Sequence, residues 1–475
     1  MKEIHLVVLV HGIWGNLSHM DYLADQIQRK CIPEKNSETL IVHKTGCHSG
    51  YLTCDGIDVN GKRISDEIVA TADSFSTEGS KVVKFSLIGY SLGGLVCRYA
   101  LGILYNDGFF EKIEPVHFVT FCTPHVGVLN PGKSLSSRVY NFIAPYVLAS
   151  TGSQLFLTDR KVVGEKEYLP LLQWMADPAS KFYKALLLFS SRTLYANAIN
   201  DRRTSWYTAF VSGLDPFNSM VNETLSAYSL QYISGYEPTI VDFSKPIEFN
   251  KVSREAPAKF SPGRLAYKGY VWLKVVASLV FIAPLYSLYV VFNSIHQRVK
   301  MSIRLKQFAR ESADSLKTLY EATAIDDLVS SSYAVIERDN DSDKDEIANF
   351  SDRFQDQTEM FVDSIYNALN SASYYDYHYS VVKSSKAVEE KKPILEPKAP
   401  VTLKGKLAVA NFKVNLTNPQ EEIVKEFNKL SWNKYPVIIR NTKATHAAMI
   451  HRHDDPTFKE GKLVVNHFVT HVFTV

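Results

Sequence analysis

Apolar and polar positions in the first half of the chain follow two alternating periods. Four short, mostly apolar runs predict strands: residues 6–10, 82–88, 116–121 and 193–199. Four stretches with helical spacing of apolar residues predict helices: residues 17–30, 63–72, 95–101 and 170–189. Strands that alternate with helices in this way are typical of a mostly parallel sheet flanked by helices. The pattern therefore predicts an α/β fold for residues 1–235.

The pattern changes after residue 235. A stretch without charged residues, 275–292, would rise about 27 Å as a helix, barely enough to span a hydrocarbon core of ~30 Å. Three further segments follow it: a basic helix-compatible stretch at 296–325, an acidic stretch at 326–359 and a proline-containing linker at 381–400. A helix at 419–430 and a strand at 435–440 are predicted after the linker. We therefore predict three parts: a core over 1–235, an insertion over 236–402 and a return to the core over 403–475.

Composition narrows the class of protein. The 475 residues carry a net charge of +3, so no dedicated nucleic-acid surface is expected. There is no C-x-x-C motif and no His/Cys pair at zinc spacing, so we expect neither a metal nor another cofactor. An odd, sparse set of five cysteines favours a reducing compartment. The first apolar run is too short for a signal peptide, so a cytosolic protein is expected.

The most informative motif is Gly89-Tyr90-Ser91-Leu92-Gly93-Gly94, which lies between a predicted strand and a predicted helix. A G-x-S-x-G sequence in this context is typical of a nucleophile elbow, a tight turn that exposes the serine hydroxyl. We therefore predict that Ser91 is a catalytic nucleophile. A glycine-rich turn with an incidental serine is the alternative.

A second motif supports a nucleophilic role for Ser91. The apolar run 6–10 ends in His11-Gly12-Ile13-Trp14-Gly15, and a loop of this kind supplies one oxyanion donor in α/β-hydrolases. The other donor is the amide that follows the nucleophile, here that of Leu92. We predict an oxyanion hole formed by the amide of Leu92 and the amide of Ile13 or Trp14.

The acid of a triad should follow a later strand, because the order in this fold is Ser, then Asp or Glu, then His. The apolar run Leu194–Ile199 leads to Asp201, which we predict as the acid. Asp177 and Asp215 are alternatives, each placed before a proline.

The base should follow the last strand. His446 has this position and has small neighbours that permit close approach, so we predict it as the base. Four later histidines are alternatives: His451, His453, His467 and His471. His11 and His125 precede the acid, so we expect them to support the oxyanion loop or a pocket wall.

As a set, these motifs resemble the DUF676 family of serine esterases, and most closely its fungal lipid-droplet phospholipase branch. The segments that carry the resemblance are residues 6–16, 55–57, 61–63, 89–94, 122–127, 195–201 and 445–452. The resemblance covers about residues 1–215 and 403–475 and leaves out 240–400. It implies an α/β-hydrolase fold, a triad of Ser91, Asp201 and His446, no cofactor, and a glycerophospholipid substrate.

The order of the triad constrains the apolar segment 270–293. Ser91 and Asp201 precede this segment and His446 follows it, so a single membrane crossing would separate the base from its nucleophile. Basic residues flank the segment on both sides, which fits two ends on one side of a membrane. We expect a re-entrant hairpin, an in-plane insert or a buried helix pair. The expected location is the cytosolic surface of lipid droplets or of the endoplasmic reticulum.

The predicted function is therefore hydrolysis of lipid acyl esters, with a lipid surface as the expected partner and no prediction for protein partners. Two other readings stay open at this point. One keeps the enzyme but changes its substrate to a neutral glyceride or a protein acyl-thioester. The other is a membrane tether that retains a degenerate hydrolase fold.

Overall fold

The computed structural model describes part of the chain: residues 2–31, 38–77, 79–130, 135–163, 166–201, 203–217, 228–245, 248–249, 300–308, 310, 319 and 413–473. The predicted apolar segment 270–293, the acidic stretch 326–359 and the linker 381–400 lie outside these residues. Within the described ranges, no helix is both long and apolar enough to cross a membrane.

Six parallel strands form the central sheet. In chain order the strands of the structure are β1 (Lys2–Val10), β2 (Glu38–Lys44), β3 (Ser80–Tyr90), β4 (Glu114–Phe121), β5 (Lys161–Val163), β6 (Lys166–Tyr168), β7 (Ser191–Asn197), β8 (Tyr228–Ser229), β9 (Glu248–Phe249) and β10 (Asn433–Val437). The central sheet has the order β10-β7-β4-β3-β1-β2, and β5-β6 and β8-β9 form two small antiparallel pairs. Strand β10 pairs in parallel with β7, which places residues 433–437 in the same sheet as the first half of the chain.

Helices cover the sheet. They are α1 (Asp21–Lys30), α2 (Ile57–Thr77), α3 (Leu92–Asn106), α4 (Leu135–Val147), α5 (Ala149–Leu155), α6 (Leu171–Trp174), α7 (Lys181–Leu188), α8 (Trp206–Ala209), α9 (Asn418–Phe427), α10 (Thr445–Ala448) and α11 (Lys459–His467). Short 3₁₀ turns occur at Leu17–Met20, Gly50–Cys54, Phe109–Glu111 and Pro456–Phe458, and a π-helical turn at Phe468–Val472. Residues 300–308 are helical as well.

Both faces of the sheet are buried, as the continuous apolar runs predict. In β1, Leu6, Val8 and Val10 belong to a core cluster on one face, whereas Val7 and Leu9 belong to the cluster on the other face. This alternation follows from the two-residue repeat of a strand. The sheet is therefore sandwiched between helical layers.

Most predicted elements are confirmed, but the helix predicted over 170–189 is wrong. The structure breaks it into α6 and α7 at Asp177-Pro178. Proline disfavours a helical conformation in the residue before it and lacks an amide hydrogen. The Ser180 side chain then accepts a hydrogen bond from the Tyr183 amide and caps the start of α7. Helices α4 and α5 were not predicted.

The fold gathers the segments that leave the strands at one edge of the sheet. Because the strands are parallel, the carboxyl ends of β3, β4, β7 and β10 point the same way. Three backbone hydrogen bonds continue the pairing past these ends: Ser91 N to Phe121 O at 2.8 Å, Cys122 N to Tyr195 O at 2.9 Å and Ala198 N to Val437 O at 2.7 Å. Ligands and catalytic groups in open α/β sheets lie at this edge.

Candidate active site

Ser91 occupies the turn between β3 and α3. Its φ of 55° and ψ of −127° lie in a region that non-glycine residues rarely adopt. The serine is also the N-cap residue of α3, although its hydroxyl does not cap that helix. The hydroxyl is therefore left for contacts outside the turn, as expected of a nucleophile elbow.

Two glycines permit the close packing around this turn. A Cβ on Gly93 would lie 2.3 Å from Val10 O, so the start of α3 packs directly against the end of β1. A Cβ on Gly12 would lie 2.8 Å from Ser91 Cβ. Substitution at either position would require the backbone to shift. The loop after β1 therefore lies against the nucleophile turn.

Three side chains form a hydrogen-bonded chain at the carboxyl edge. The Ser91 hydroxyl lies 2.9 Å from His446 Nε2, and His446 Nδ1 lies 2.9 Å from Asp201 Oδ2. The carboxylate accepts at Nδ1, so chemistry assigns the proton there and leaves Nε2 to accept the serine proton. The residues are 7%, 6% and 3% exposed respectively. The structure thus brings together the three predicted site residues, which are 110 or more positions apart in the chain.

Four hydrogen bonds reach the Asp201 carboxylate from residues that the structure describes. The amides of Arg203 and Thr204 donate to Oδ1, and the Asn197 side chain and His446 bond Oδ2. Burial by itself would raise the pKa of this carboxyl group, but the nearby charge of His446 and these hydrogen bonds outweigh it. The pKa of Asp201 therefore lies below its ordinary value, and the group is an anion at neutral pH.

Two hydrogen bonds to the backbone hold the short helix that carries His446. The Tyr90 hydroxyl donates to His446 O at 3.0 Å, and the Thr445 hydroxyl donates to Asn200 O at 3.0 Å. Tyr90 directly precedes Ser91, and Asn200 directly precedes Asp201. Each contact therefore ties short helix α10 to a segment that carries another member of the chain. Sequence reasoning missed Tyr90, whose position inside the elbow motif was the available signal.

The alternative acids and bases lie elsewhere. Asp177 and Asp215 each accept a hydrogen bond from a backbone amide two residues ahead, a local turn contact. The alternative histidines have the following neighbours: Phe458 O at 3.3 Å for His451, Arg452 Nε at 3.0 Å for His453, the Tyr195 hydroxyl at 2.7 Å for His467, and the rings of Tyr236 and His467 for His471. Among these five histidines, His446 is the one that contacts Ser91 and Asp201.

The predicted oxyanion donors differ in whether their amides already have a hydrogen-bond acceptor. Leu92 is the first residue of α3, where an amide has no acceptor within the helix. The Trp14 amide donates to the Thr53 hydroxyl at 3.0 Å, so this amide is already paired in the structure, and its role as the second donor stays a prediction. Among the described residues we find no acceptor for the Ile13 amide. Ile13 is therefore the better second donor.

His11 and His125 are built into the surrounding framework. His11 Nδ1 lies 3.0 Å from Gly12 O, and its ring stacks on His48 with centroids 3.8 Å apart. Burial lowers the pKa of His11 to about 4, so the stacked ring is neutral at pH 7. His125 Nε2 lies 3.0 Å from the Thr120 hydroxyl. His11 thus lies within the predicted oxyanion loop, and His125 beside the end of β4.

Cys122, Asp201 and His446 also lie close enough to hold a metal ion, with ligand atoms within 4.8 Å of one another. Their chemistry argues against that use. Burial, followed by the charge of Asp201, raises the pKa of Cys122, and His446 and Asp201 already bond each other through the atoms that would have to bind the metal. The Asn197 side chain donates to Cys122 Sγ at 3.3 Å and to Asp201 at 2.9 Å. The cluster is therefore better described as a hydrogen-bonded network behind Asp201.

Comparison with known families agrees with this geometry. Residues 1–214 match the family described as "Putative serine esterase (DUF676)". The resemblance predicted from the motifs is thereby confirmed at the level of the DUF676 family, while its lipid-droplet phospholipase branch stays a prediction. The predicted α/β-hydrolase fold is also confirmed, since a parallel sheet carries an elbow after its central strand β3.

Two fungal relatives match part of the chain. "Putative lipase C4A8.10" of Schizosaccharomyces pombe is 32% identical over 205 residues, which cover 42% of this chain and 25% of the relative. "Putative lipase ROG1" of Saccharomyces cerevisiae is 31% identical over 257 residues, covering 53% and 34% respectively. The chain thus spans about a quarter to a third of the length of these relatives.

One solved structure is similar to part of this chain. It is titled "Phospholipase PlaB from Legionella pneumophila in complex with thio-NAD" and aligns with 44% of this chain and 42% of its own, at 12% identity and a TM-score of 0.24.

Proposed function

We propose that this protein is a serine hydrolase that cleaves acyl esters of lipids, most specifically those of glycerophospholipids. The observation that carries the proposal is the chain of two 2.9 Å hydrogen bonds from Ser91 through His446 to Asp201. The match of residues 1–214 to a serine esterase family and the similarity to relatives named as lipases support the same reaction class.

In the proposed reaction Ser91 Oγ attacks the ester carbonyl carbon while its proton passes to His446 Nε2. The tetrahedral intermediate collapses, the bond to the leaving alcohol breaks, and His446 returns the proton to that alcohol. A water molecule then gives a proton to His446 and attacks the acyl carbon of the acyl-enzyme. The bond from that carbon to Ser91 Oγ breaks, the fatty acid leaves, and His446 returns the proton to Oγ. Asp201 keeps the Nδ1 proton of His446 in place and stabilises the imidazolium, so no metal is needed.

The Leu92 and Ile13 amides would bind the oxyanion in this reaction. The alignment of these two amides depends on the loop after β1. Thr53 lies outside this loop and holds it by a hydrogen bond. The Thr53 hydroxyl accepts the Trp14 amide and donates to Gly50 O at 2.6 Å. One threonine therefore joins the oxyanion loop to the 3₁₀ turn Gly50–Cys54.

Thr53→Val should lower turnover of a soluble ester by about 10- to 100-fold, because a small misplacement of oxyanion donors is costly. Thr53→Ser keeps the hydroxyl and should retain most of the activity. Steady-state kinetics of the two variants would reveal the loss in kcat, with KM changed less. Equal kcat values for Thr53→Val and Thr53→Ser would show that the Thr53 hydroxyl does not align the oxyanion donors, provided that both proteins melt near the wild-type temperature.

The substrate class can be tested by product analysis. Purified protein acting on a mixed emulsion of phospholipid and triacylglycerol should release lysophospholipid together with free fatty acid, and Ser91→Ala protein should release neither. Fatty acid released from triacylglycerol alone would move the substrate to neutral lipids. Hydrolysis of short-chain esters with no lipid product would reject the lipid part of the proposal and keep the esterase part.

We further propose that the protein works at the cytosolic surface of lipid droplets or of the endoplasmic reticulum. The three reacting side chains must share one aqueous side, and the basic residues on both sides of segment 270–293 favour the cytosolic side for both of its ends. The protein expressed as a fluorescent fusion should co-localise with a lipid-droplet or endoplasmic reticulum marker. Residence in the lumen, shown by glycosylation of an introduced acceptor site beside the core, would contradict the proposal.

A further inference from the structure

Helix α4 has its apolar stripe turned towards solvent. Residues at the spacing of one helical face are exposed: Val139 by 45%, Phe142 by 68%, Ile143 by 52%, Tyr146 by 60% and Val147 by 53%. A helix on a globular protein normally turns such a stripe towards the core. A contiguous apolar face that is exposed is typical of a binding surface, whereas single exposed apolar residues are not.

The face lies beside the proposed active site. Asn141 exchanges two hydrogen bonds with the backbone of Asn130, which fixes α4 to the segment that leaves β4. Tyr140 of α4 lines one cleft together with Arg203, whose amide binds the Asp201 carboxylate. On the other side, the Thr151 hydroxyl of the neighbouring helix α5 donates to Thr53 O at 2.6 Å. Helix α4 therefore shares a cleft with the acid loop, and α5 contacts the threonine that holds the oxyanion loop.

Helix α4 and the helical segment 300–308 carry charges of one sign. Neither residues 135–147 nor residues 300–310 contain an acidic residue, whereas basic residues occur in both stretches. The helical segment 300–308 is held close to α5, since the Ser150 hydroxyl lies 3.9 Å from Met301 Sδ. Arg304 anchors the segment by two hydrogen bonds to the buried carboxylate of Asp55, at 2.6 and 2.8 Å. Ile303, 40% exposed, adds a further apolar side chain.

We propose that the exposed face of α4 docks the protein onto an anionic phospholipid surface, with Arg138 and Lys300 facing the head groups. Exposed apolar side chains bordered by cations fit such a surface, because insertion and electrostatic attraction add. The use of this docking to present lipid to Ser91 rests on the proposed function. The docking itself does not, so the two can be tested separately.

A polarity-sensitive probe on α4 reports docking locally, whatever else in the chain contacts the lipid. An NBD fluorophore attached through Ile143→Cys is compared with the same fluorophore attached through Leu187→Cys on α7, where the native side chain is 54% exposed. Both proteins carry Ser91→Ala so that the lipid stays intact. Four of the five native cysteines are buried, and burial also raises the pKa of the half-buried Cys47 thiol, so labelling at neutral pH favours the introduced residue.

Vesicles of phosphatidylcholine with phosphatidylserine should raise the emission of the label at 143 several-fold and shift it to the blue, whereas the label at 187 should not respond. Salt should weaken the response, and vesicles of phosphatidylcholine alone should give a smaller one. A label at 143 that stays unchanged while the protein co-sediments with the vesicles would overturn the proposal.

A functional comparison uses Phe142→Ser/Ile143→Ser and the matched double variant Leu187→Ser/Leu188→Ser. The α4 variant should lose about tenfold of its activity on anionic vesicles and keep its turnover of a soluble short-chain ester, while the α7 variant should keep both. Loss of vesicle activity to the same extent in both variants would contradict docking through α4. A wild-type dimer in sedimentation velocity that the α4 variant abolishes would show that the face binds a second copy, and would also overturn the proposal.

The outcomes keep the two proposals apart. If wild-type protein hydrolyses no ester at all, the proposed function fails, and the fluorescence experiment still decides the docking. If the ester is hydrolysed and the label at 143 is silent, the docking fails and the proposed function stands.

Discussion

Ser91→Ala should lower kcat for any ester substrate by about a millionfold, the scale of loss seen when a triad serine is removed. It should also abolish labelling by a fluorophosphonate probe. The reason is geometric, since Ser91 carries the hydroxyl that lies 2.9 Å from His446 Nε2 on a turn held in a strained conformation. Gel-based probe labelling and ester turnover measure the two effects.

The double variant Ser91→Ala/His446→Ala supplies the control. Because the nucleophile and the base act as one unit, it should be no less active than either single variant. Circular dichroism should show the same fold for all three proteins. Labelling of Ser91→Ala at the wild-type level would assign the nucleophile to another residue and would remove the basis of the proposed function.

Asp201→Asn should lower kcat by about ten-thousandfold. An asparagine amide opposite His446 Nδ1 can donate a hydrogen bond, which favours the tautomer with its proton on Nε2. That nitrogen can then no longer accept the Ser91 proton. Asp201 is ionised at neutral pH because its pKa is lowered, so the wild-type carboxylate has no such alternative. Steady-state kinetics measure the loss.

Asp177→Asn and Asp215→Asn are matched controls, because each of these carboxylates caps a local turn away from His446. Both should keep nearly wild-type turnover. The assignment of Asp201 would be wrong if either control lost activity and Asp201→Asn did not. The same logic applies to His446→Gln against His451→Gln and His453→Gln.

Periodicity succeeded where the local pattern and the tertiary structure favour the same conformation. The run at 6–10 is continuously apolar, and a strand buried on both faces requires such a run. The helix predicted over 170–189 failed because apolar spacing continues across Pro178, while proline interrupts the backbone hydrogen bonds there. Spacing of side chains does not show a missing amide hydrogen.

In the oxyanion loop, the local pattern could not separate two candidate donors. Ile13 and Trp14 are neighbours after the same strand, and no local pattern distinguishes their amides. The distinction comes from Thr53, which lies 39 residues from Trp14 and accepts its amide hydrogen. A hydrogen-bond partner at that separation depends on how the chain folds back, so it could be found only in the structure.

The sequence by itself determined the elbow at Ser91, the parallel α/β architecture and the order of serine, acid and histidine, because strand periodicity, turn glycines and chain order are local or sequential properties. It also narrowed the base to five histidines and the acid to three aspartates. Only the tertiary structure brought His446 within hydrogen-bonding distance of Ser91 and Asp201, across 355 and 245 residues of chain. The tertiary structure alone showed that the apolar stripe of α4 faces outward. Which face of a helix is exposed depends on what packs against its opposite face.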